Sequence, residues 1–206
     1  MNDAFDLEEQ SGDKISKIIA GVERLSTLFR AALLKQSKKL GYSPLQIQIV
    51  LFIAYHSKEY CNTTYISDEF AVSKPTVSDS IRVLIEKRIL IKTIDHKDAR
   101  SFLLELSPIG KKFLDSLSDL SANFGGKMVE LKESEIETIW NGILLLMLKL
   151  QIPKSIPVRM CFSCNFFGQN YSKGKPHYCH LMEQPLDLAS IRIDCPEYYE
   201  SNLAGD

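Results

Sequence analysis

The feature that most constrains this chain is a change of apolar period between residues 64 and 106. Up to residue 87 the pattern is helical. A short segment at 64–70 carries Tyr65, Ile66 and Phe70. Ser73-Lys74-Pro75 then places a hydroxyl N-cap and a first-turn proline at the head of a second helix. That helix repeats Val77, Ile81, Leu84 and Ile85 at three- and four-residue steps to about Lys87. Beyond it the residues become short and β-branched, at 89–94 and again at 101–106, around the polar stretch 95–100. Two such runs around a polar turn predict a β-hairpin.

Short helix, turn, capped helix and hairpin, in that order, predict a winged helix-turn-helix: a mainly α fold with a small β-hairpin wing. Ordinary surface helices of an all-α bundle would explain a lone Ser-Lys-Pro-Thr helix start, but not the ordered set. In a winged helix the second helix of the pair enters the major groove, N-terminal residues first. The candidate DNA-binding residues are therefore Ser73, Lys74, Thr76, Val77, Ser78, Asp79 and Arg82, with Lys97 and Arg100 at the hairpin tip. Small hydroxyls allow close approach to bases and phosphates, and a wing arginine suits the minor groove or the backbone. Arg82 and Lys87, further along the helix, are better placed for phosphates.

Charge looks unfavourable at first. The 206 residues carry a formal net charge of −1. Between residues 73 and 112, however, nine Lys/Arg face five Asp/Glu. The acid sits elsewhere: Asp3, Asp6, Glu8, Glu9 and Asp13 precede the first basic residue. Residues 1–12 read as a disordered acidic tip.

The flanks are helical. Residues 13–40 carry one apolar stripe from Ile15 to Leu33, stopped by Gly41, and Ser43-Pro44 opens the next helix, to about residue 57. After the hairpin, Ser107-Pro108 opens a helix expected to run to Phe124 and to break at Gly125-Gly126. A last helix, 133–151, is apolar on nearly all faces. That is more apolar surface than a small domain buries alone, so the long first and last helices are expected to form a homodimer matching two DNA half-sites.

Residues 13–151 resemble the MarR family of winged-helix regulators. The resemblance rests on 72–78 (Val-Ser-Lys-Pro-Thr-Val-Ser), on 84–90 leading into the wing, on Asp98-Ala99-Arg100, and on Leu106-Ser107-Pro108-Ile109-Gly110. It implies a dimer with long N- and C-terminal dimerisation helices. It also implies that Arg100 reaches DNA while Asp98 steadies the wing through a basic residue. His96 and Lys97 stand where that family's wing is often richer in arginine. The MarR-like domain spans 13–152.

Residues 158–200 form a different segment. Cys161-x2-Cys164, Cys179 and Cys195 place four of the five cysteines within 35 residues. A CxxC pair brings two thiolates to one ion from one tight turn, and two more complete a four-sulfur shell. The expected cofactor is one zinc ion or one iron–sulfur cluster per chain; Cys195-Pro196 resembles the sequence beside such clusters. His177 and His180 flank Cys179 as possible substitutes for a thiolate. Phe162, Phe166, Phe167, Tyr171, Tyr178, Tyr198 and Tyr199 either shield the site or dock the tail. The site would tune DNA affinity, or serve only as a structural zinc staple. Buried thiols or disulfides are the plainer alternatives. Cys61 stands apart and reads as a buried thiol.

The sequence contains no nucleotide loop, catalytic triad or paired acid/base motif, and none of these points to an enzyme. A metal- or cluster-binding redox or electron-transfer protein is the competing class. No secretory signal or membrane-length apolar run is visible, so a cytoplasmic location is expected. Double-stranded DNA, a second copy and a small-molecule effector are the expected partners.

Overall fold

The computed structural model describes residues 4–6, 13–94, 102–150, 158–169 and 176–201. Helix α1 (Lys14–Leu40) begins at Asp13, whose carboxylate accepts from Ile15 and Ser16 N–H, and ends at Gly41 in the left-handed region (φ 72°). Helix α2 (Pro44–Tyr55) starts from a reciprocal cap: Ser43 accepts from Gln46 N–H while the Gln46 side chain accepts from Ser43 N–H. Helices α3 (Thr63–Glu69) and α4 (Lys74–Glu86) are joined by a turn with Ala71 at φ 50°.

Strands β1 (Leu90–Ile94) and β2 (Phe102–Leu106) pair antiparallel in register Leu90↔Leu106 to Ile94↔Phe102. On the other edge of β2, Leu104 N–H donates to the Cys61 carbonyl at 2.8 Å. This ties the hairpin to the loop before α3. Ser107 then caps α5 (Pro108–Asp115), and its hydroxyl also donates to the Arg88 carbonyl. Gly110 is required there: a Cβ would overlap the Ile89 carbonyl oxygen.

The core of this unit joins Ile47, Val50, Ile66, Val77, Ile81, Leu84, Leu90 and Leu104. It therefore lies between α2, α3, α4 and the base of the wing.

One helix expected at 108–124 is two. The break comes at Ser116-Leu117, not at the glycines. Ser116 hydroxyl donates to the Phe113 carbonyl and Ser118 hydroxyl to that of Asp115, competing with helix continuation. Helix α6 (Ser118–Met128) runs through Gly125 and Gly126. Helix α7 (Glu133–Leu150) follows, with Leu144 buried and Ile139, Ile143, Leu145 and Leu150 exposed.

The tail, where periodicity gave no element, folds as a three-stranded antiparallel sheet. It comprises β3 (Phe167–Gly168), β4 (His177–Cys179) and β5 (Gln184–Leu186), in the order β3-β4-β5. A second core joins Leu144 of α7 to Met160, Cys161, Leu186 and Ile191. Trp140 of α7 donates its indole N–H to the Leu188 carbonyl at 2.8 Å. The tail is docked on α7.

Candidate nucleic-acid interface and four-thiol cavity

The reading face is built by α4. Ser73 hydroxyl accepts from Thr76 N–H and lies 2.8 Å from the Thr76 hydroxyl. This first turn fixes the helix start. Val77, Ile81 and Leu84 anchor the inner face, which leaves Ser73, Lys74, Thr76, Ser78, Asp79 and Arg82 on the outer one. Val77 corrects the expected set: it is 0% exposed, inside the core, and cannot meet DNA from there. A helix with apolar residues at three- and four-residue steps must turn one of its first residues inward, and here it is Val77.

Arg82 is engaged along its own helix, 3.3 Å from Asp79 and 3.1 Å from Glu86. Lys87 donates to the Gly41 carbonyl and sits over the Tyr42 ring. Lys87 thus fastens α4 to the α1–α2 turn. Lys97, Asp98 and Arg100 lie outside the described residues.

Part of the chain is similar to the MarR family, and its fold is a winged helix. The MarR family model matches residues 40–101, from the end of α1 to the foot of β2. Three solved structures share the fold. A S. aureus MepR–DNA complex is 19% identical, covering 63% of this chain and 94% of its own, with a TM-score of 0.52. A MarR transcriptional regulator from Methanosarcina mazei Go1 is 20% identical, covering 68% and 98%, TM-score 0.52. The transcriptional regulator BldR from Sulfolobus solfataricus is 17% identical, covering 66% and 99%, TM-score 0.52. No curated protein matches the chain.

Within this winged-helix fold, a cavity of about 570 Å³ is lined by Phe29, Leu51, Tyr55, Leu114, Leu117 and Leu120 with Asp115 and Ser118. Among the described residues, no helix is long and apolar enough to cross a membrane.

The tail supplies a second constellation. Cys161, Cys164, Cys179 and Cys195 all line one small cavity with Phe166, Phe167, Leu181, Met182, Leu186 and Glu197. Cys161 and Cys164 flank a 3-10 turn closed by Cys164 N–H to the Cys161 carbonyl. Cys179 is held by β4, opposite Phe167 of β3. Cys195 N–H donates to the Arg159 carbonyl. All four thiols are free. As placed, no three or more His, Cys, Asp or Glu side chains among the described residues form a group able to hold a metal.

Burial pushes the Cys161 thiol up, against the lowering effect of Arg192 N–H, which donates to its sulfur at 3.2 Å; the neighbouring thiols add to the rise. His177 is absent from the lining; its ring lies against Phe162 and Phe167. Its Nδ1 is buried without a partner among the described residues. Phe166 and Phe167 line the cavity, and Phe162 and Phe167 pack against the core shared with α7. Tyr171 lies outside the described residues.

Between the two constellations lies a cluster that sequence reasoning missed. Arg159, 3% exposed, pairs with Glu69 at the end of α3 (2.9 and 3.2 Å) and with Asp194 (2.7 Å), and donates to the Tyr65 hydroxyl (2.7 Å). His56 donates from Nδ1 to the Phe52 carbonyl and meets Asp194 through Nε2 at 2.7 Å. Both of its partners are acceptors, so both ring nitrogens carry protons. Burial works against that charge, but the Asp194 and Phe52 bonds outweigh it and raise the His56 pKa. Burial likewise opposes the Asp194 carboxylate, and the bonds from His56 and Arg159 overcome it, holding its pKa down at about 2. The only sequence signal was an arginine two residues before the CxxC pair. Nothing in spacing points from Arg159 to a partner 90 residues away.

Proposed function

We propose that this chain is a transcription regulator of MarR type that binds pseudo-palindromic duplex DNA as a homodimer. The supporting observation is α4: a Ser73-capped helix, anchored by Val77, Ile81 and Leu84, that turns Lys74, Thr76, Ser78 and Arg82 outward beside a β-hairpin wing. Helix N-terminus, hydroxyls and cations together are what phosphate and base edges require. The outward apolar stripe of α1, including Ile15, Ile18, Val22, Leu25 and Leu28, takes a second copy, which supplies the second half-site reader.

The 570 Å³ cavity between α1, α2, α5 and α6 falls in the size range of small-molecule sites and accepts an apolar effector. Its wall includes Phe29, which also belongs to the α1 stripe. An effector there would press on both the dimer and the reading head. The tail's four thiols tune the same DNA binding by holding a metal.

Salt-dependent mobility shifts on duplex DNA test the reading. Binding that weakens linearly in log–log form with salt is expected, and Arg100→Ala weakens it without dissolving the dimer. Absence of binding at low salt overturns the proposal.

A further inference from the structure

We propose that the four tail thiols close on one tetrahedral metal ion of the zinc class, and that the loaded tail is a strut between α7 and the reading head. The second half rests on the DNA-binding reading; the first does not.

Size suits a single ion. The cavity common to the four cysteines is small, about 30 Å³, and leaves room for one ion drawn in among the sulfurs. Chemistry selects thiolates as its ligands. The walls are Phe166, Phe167, Leu181, Met182 and Leu186, so the cavity offers no oxygen cage except at the Glu197 edge. Four sulfurs drawn in to about 2.3 Å complete a closed structural site. The donors that metal-bound thiolates need are already placed: Arg192 N–H on Cys161 sulfur at 3.2 Å, and Arg192 Nη1 on Cys195 sulfur at 3.7 Å. The guanidinium also offsets part of the site's net charge of two minus.

Connectivity makes the site a strut. Arg159 stands two residues before Cys161, and its carbonyl accepts the Cys195 N–H at 2.9 Å. Asp194 is the chain neighbour of Cys195. Both tail members of the ion cluster are thus tied to ligand residues, and both reach the reading head, at Glu69, Tyr65 and His56. The opposite side of the tail is fixed to α7 through Leu144 and the Trp140–Leu188 bond. Tightening the thiol site therefore fixes the end of α3 relative to α7. With α7 in the dimer, as the sequence leads one to expect, this sets where each head stands. Preorganised heads lose less freedom on binding two half-sites.

The test uses the full chain, purified without added metal and without oxygen, then analysed for metals and absorption. One zinc per chain in a colourless protein is expected, lost in both Cys161→Ser and Cys195→Ser. Stoichiometric iron with sulfide, or no bound metal, overturns the single-ion site. Chelation should raise amide exchange at residues 63–69 and weaken specific DNA binding by about tenfold or more. Arg159→Met and the gentler Glu69→Gln should keep the zinc but lose both responses to chelation. Equal responses in wild type and these variants, or no change in exchange at α3, overturn the strut. The exchange readout needs no DNA. A protein that loads zinc and couples it to α3, yet never binds duplex, refutes the DNA reading and leaves the metal strut standing.

Discussion

Leu25 is 66% exposed on the single chain, between Val22 and Leu28 on the same α1 stripe. If a second copy covers this stripe, two-thirds of the Leu25 side chain remains to be buried on dimerisation. Full burial of a leucine contributes about 1.5–3 kcal/mol, so Leu25 contributes roughly 1–2 kcal/mol per chain. Two-fold symmetry counts it twice, giving about 2–4 kcal/mol per dimer. At about 1.4 kcal/mol per decade this is a change of about 30- to 700-fold in the dimer dissociation constant. Leu25→Glu exceeds that range, because it also buries a carboxylate beside its symmetry mate. Leu25→Ala falls near the lower end. Neither touches the core of residues 47–104, so circular dichroism should show retained helix. Sedimentation equilibrium over a wide concentration range reads the constant directly. A Leu25→Glu protein whose dimer constant moves less than about threefold would refute the assignment of this stripe to the dimer.

Four further outcomes follow from local geometry. Ala71→Gly should raise the melting temperature, because relief of a left-handed alanine, worth about 1–2 kcal/mol, exceeds the entropy glycine adds; an unchanged or lower melt contradicts the strain. Ser73→Ala should lower stability to urea by about 1 kcal/mol and weaken DNA binding with it, since the first turn of α4 loses its acceptor. Gly110→Ala should destabilise by about 1–3 kcal/mol, through collision with the Ile89 carbonyl, and native-like stability would argue against so close an approach. The backbone bond from Ser16, its hydroxyl and Ile15 N–H hold the Asp13 carboxyl below its ordinary value. Its cap is therefore fully present above pH 3.8 and fades as pH falls through the lowered folded value. Helicity of α1 followed by acid titration should show this, and Asp13→Asn should remove that component while keeping the cap.

The helix starts were the most legible part of the sequence. Ser43, Ser73 and Ser107 all cap the helices they precede. A cap is a local event, decided within three residues. The wing was legible for the same reason, since β-branching and a polar turn are neighbours in sequence. The Ser116 break was missed because two serine hydroxyls compete for backbone there, while Gly125-Gly126 looked the stronger signal. Neither glycine takes the positive φ that ends α1 at Gly41, so the helix runs through them. Val77 stood both in the apolar repeat of its helix and among the DNA-facing residues, and its burial keeps only the first role.

The tail sheet escaped notice because strands of two and three residues are too short to show a period. Its partners are set by register, Phe167↔Cys179 and Cys179↔Gln184. The Arg159 cluster was invisible for a stronger reason. A charged residue becomes buried only when acids from elsewhere in the chain converge on it, and no one-dimensional signal encodes that meeting. The four thiols singled out in the sequence line one cavity, though as placed they form no metal-holding group among the described residues.

Cys61 is 1% exposed, and burial pushes its thiol up to about 11. Near neutral pH it therefore stays almost wholly in the unreactive thiol form. Its backbone carbonyl is also engaged by β2, so reaching the sulfur requires opening the base of the wing. The fifth cysteine is therefore a silent internal standard for alkylation. Reagent taken up by the native protein counts tail sulfurs alone, and the extra equivalent appears only on unfolding. A single mass spectrum of the labelled chain then reports two things separately: how many tail sulfurs are shielded, and whether the wing is still closed.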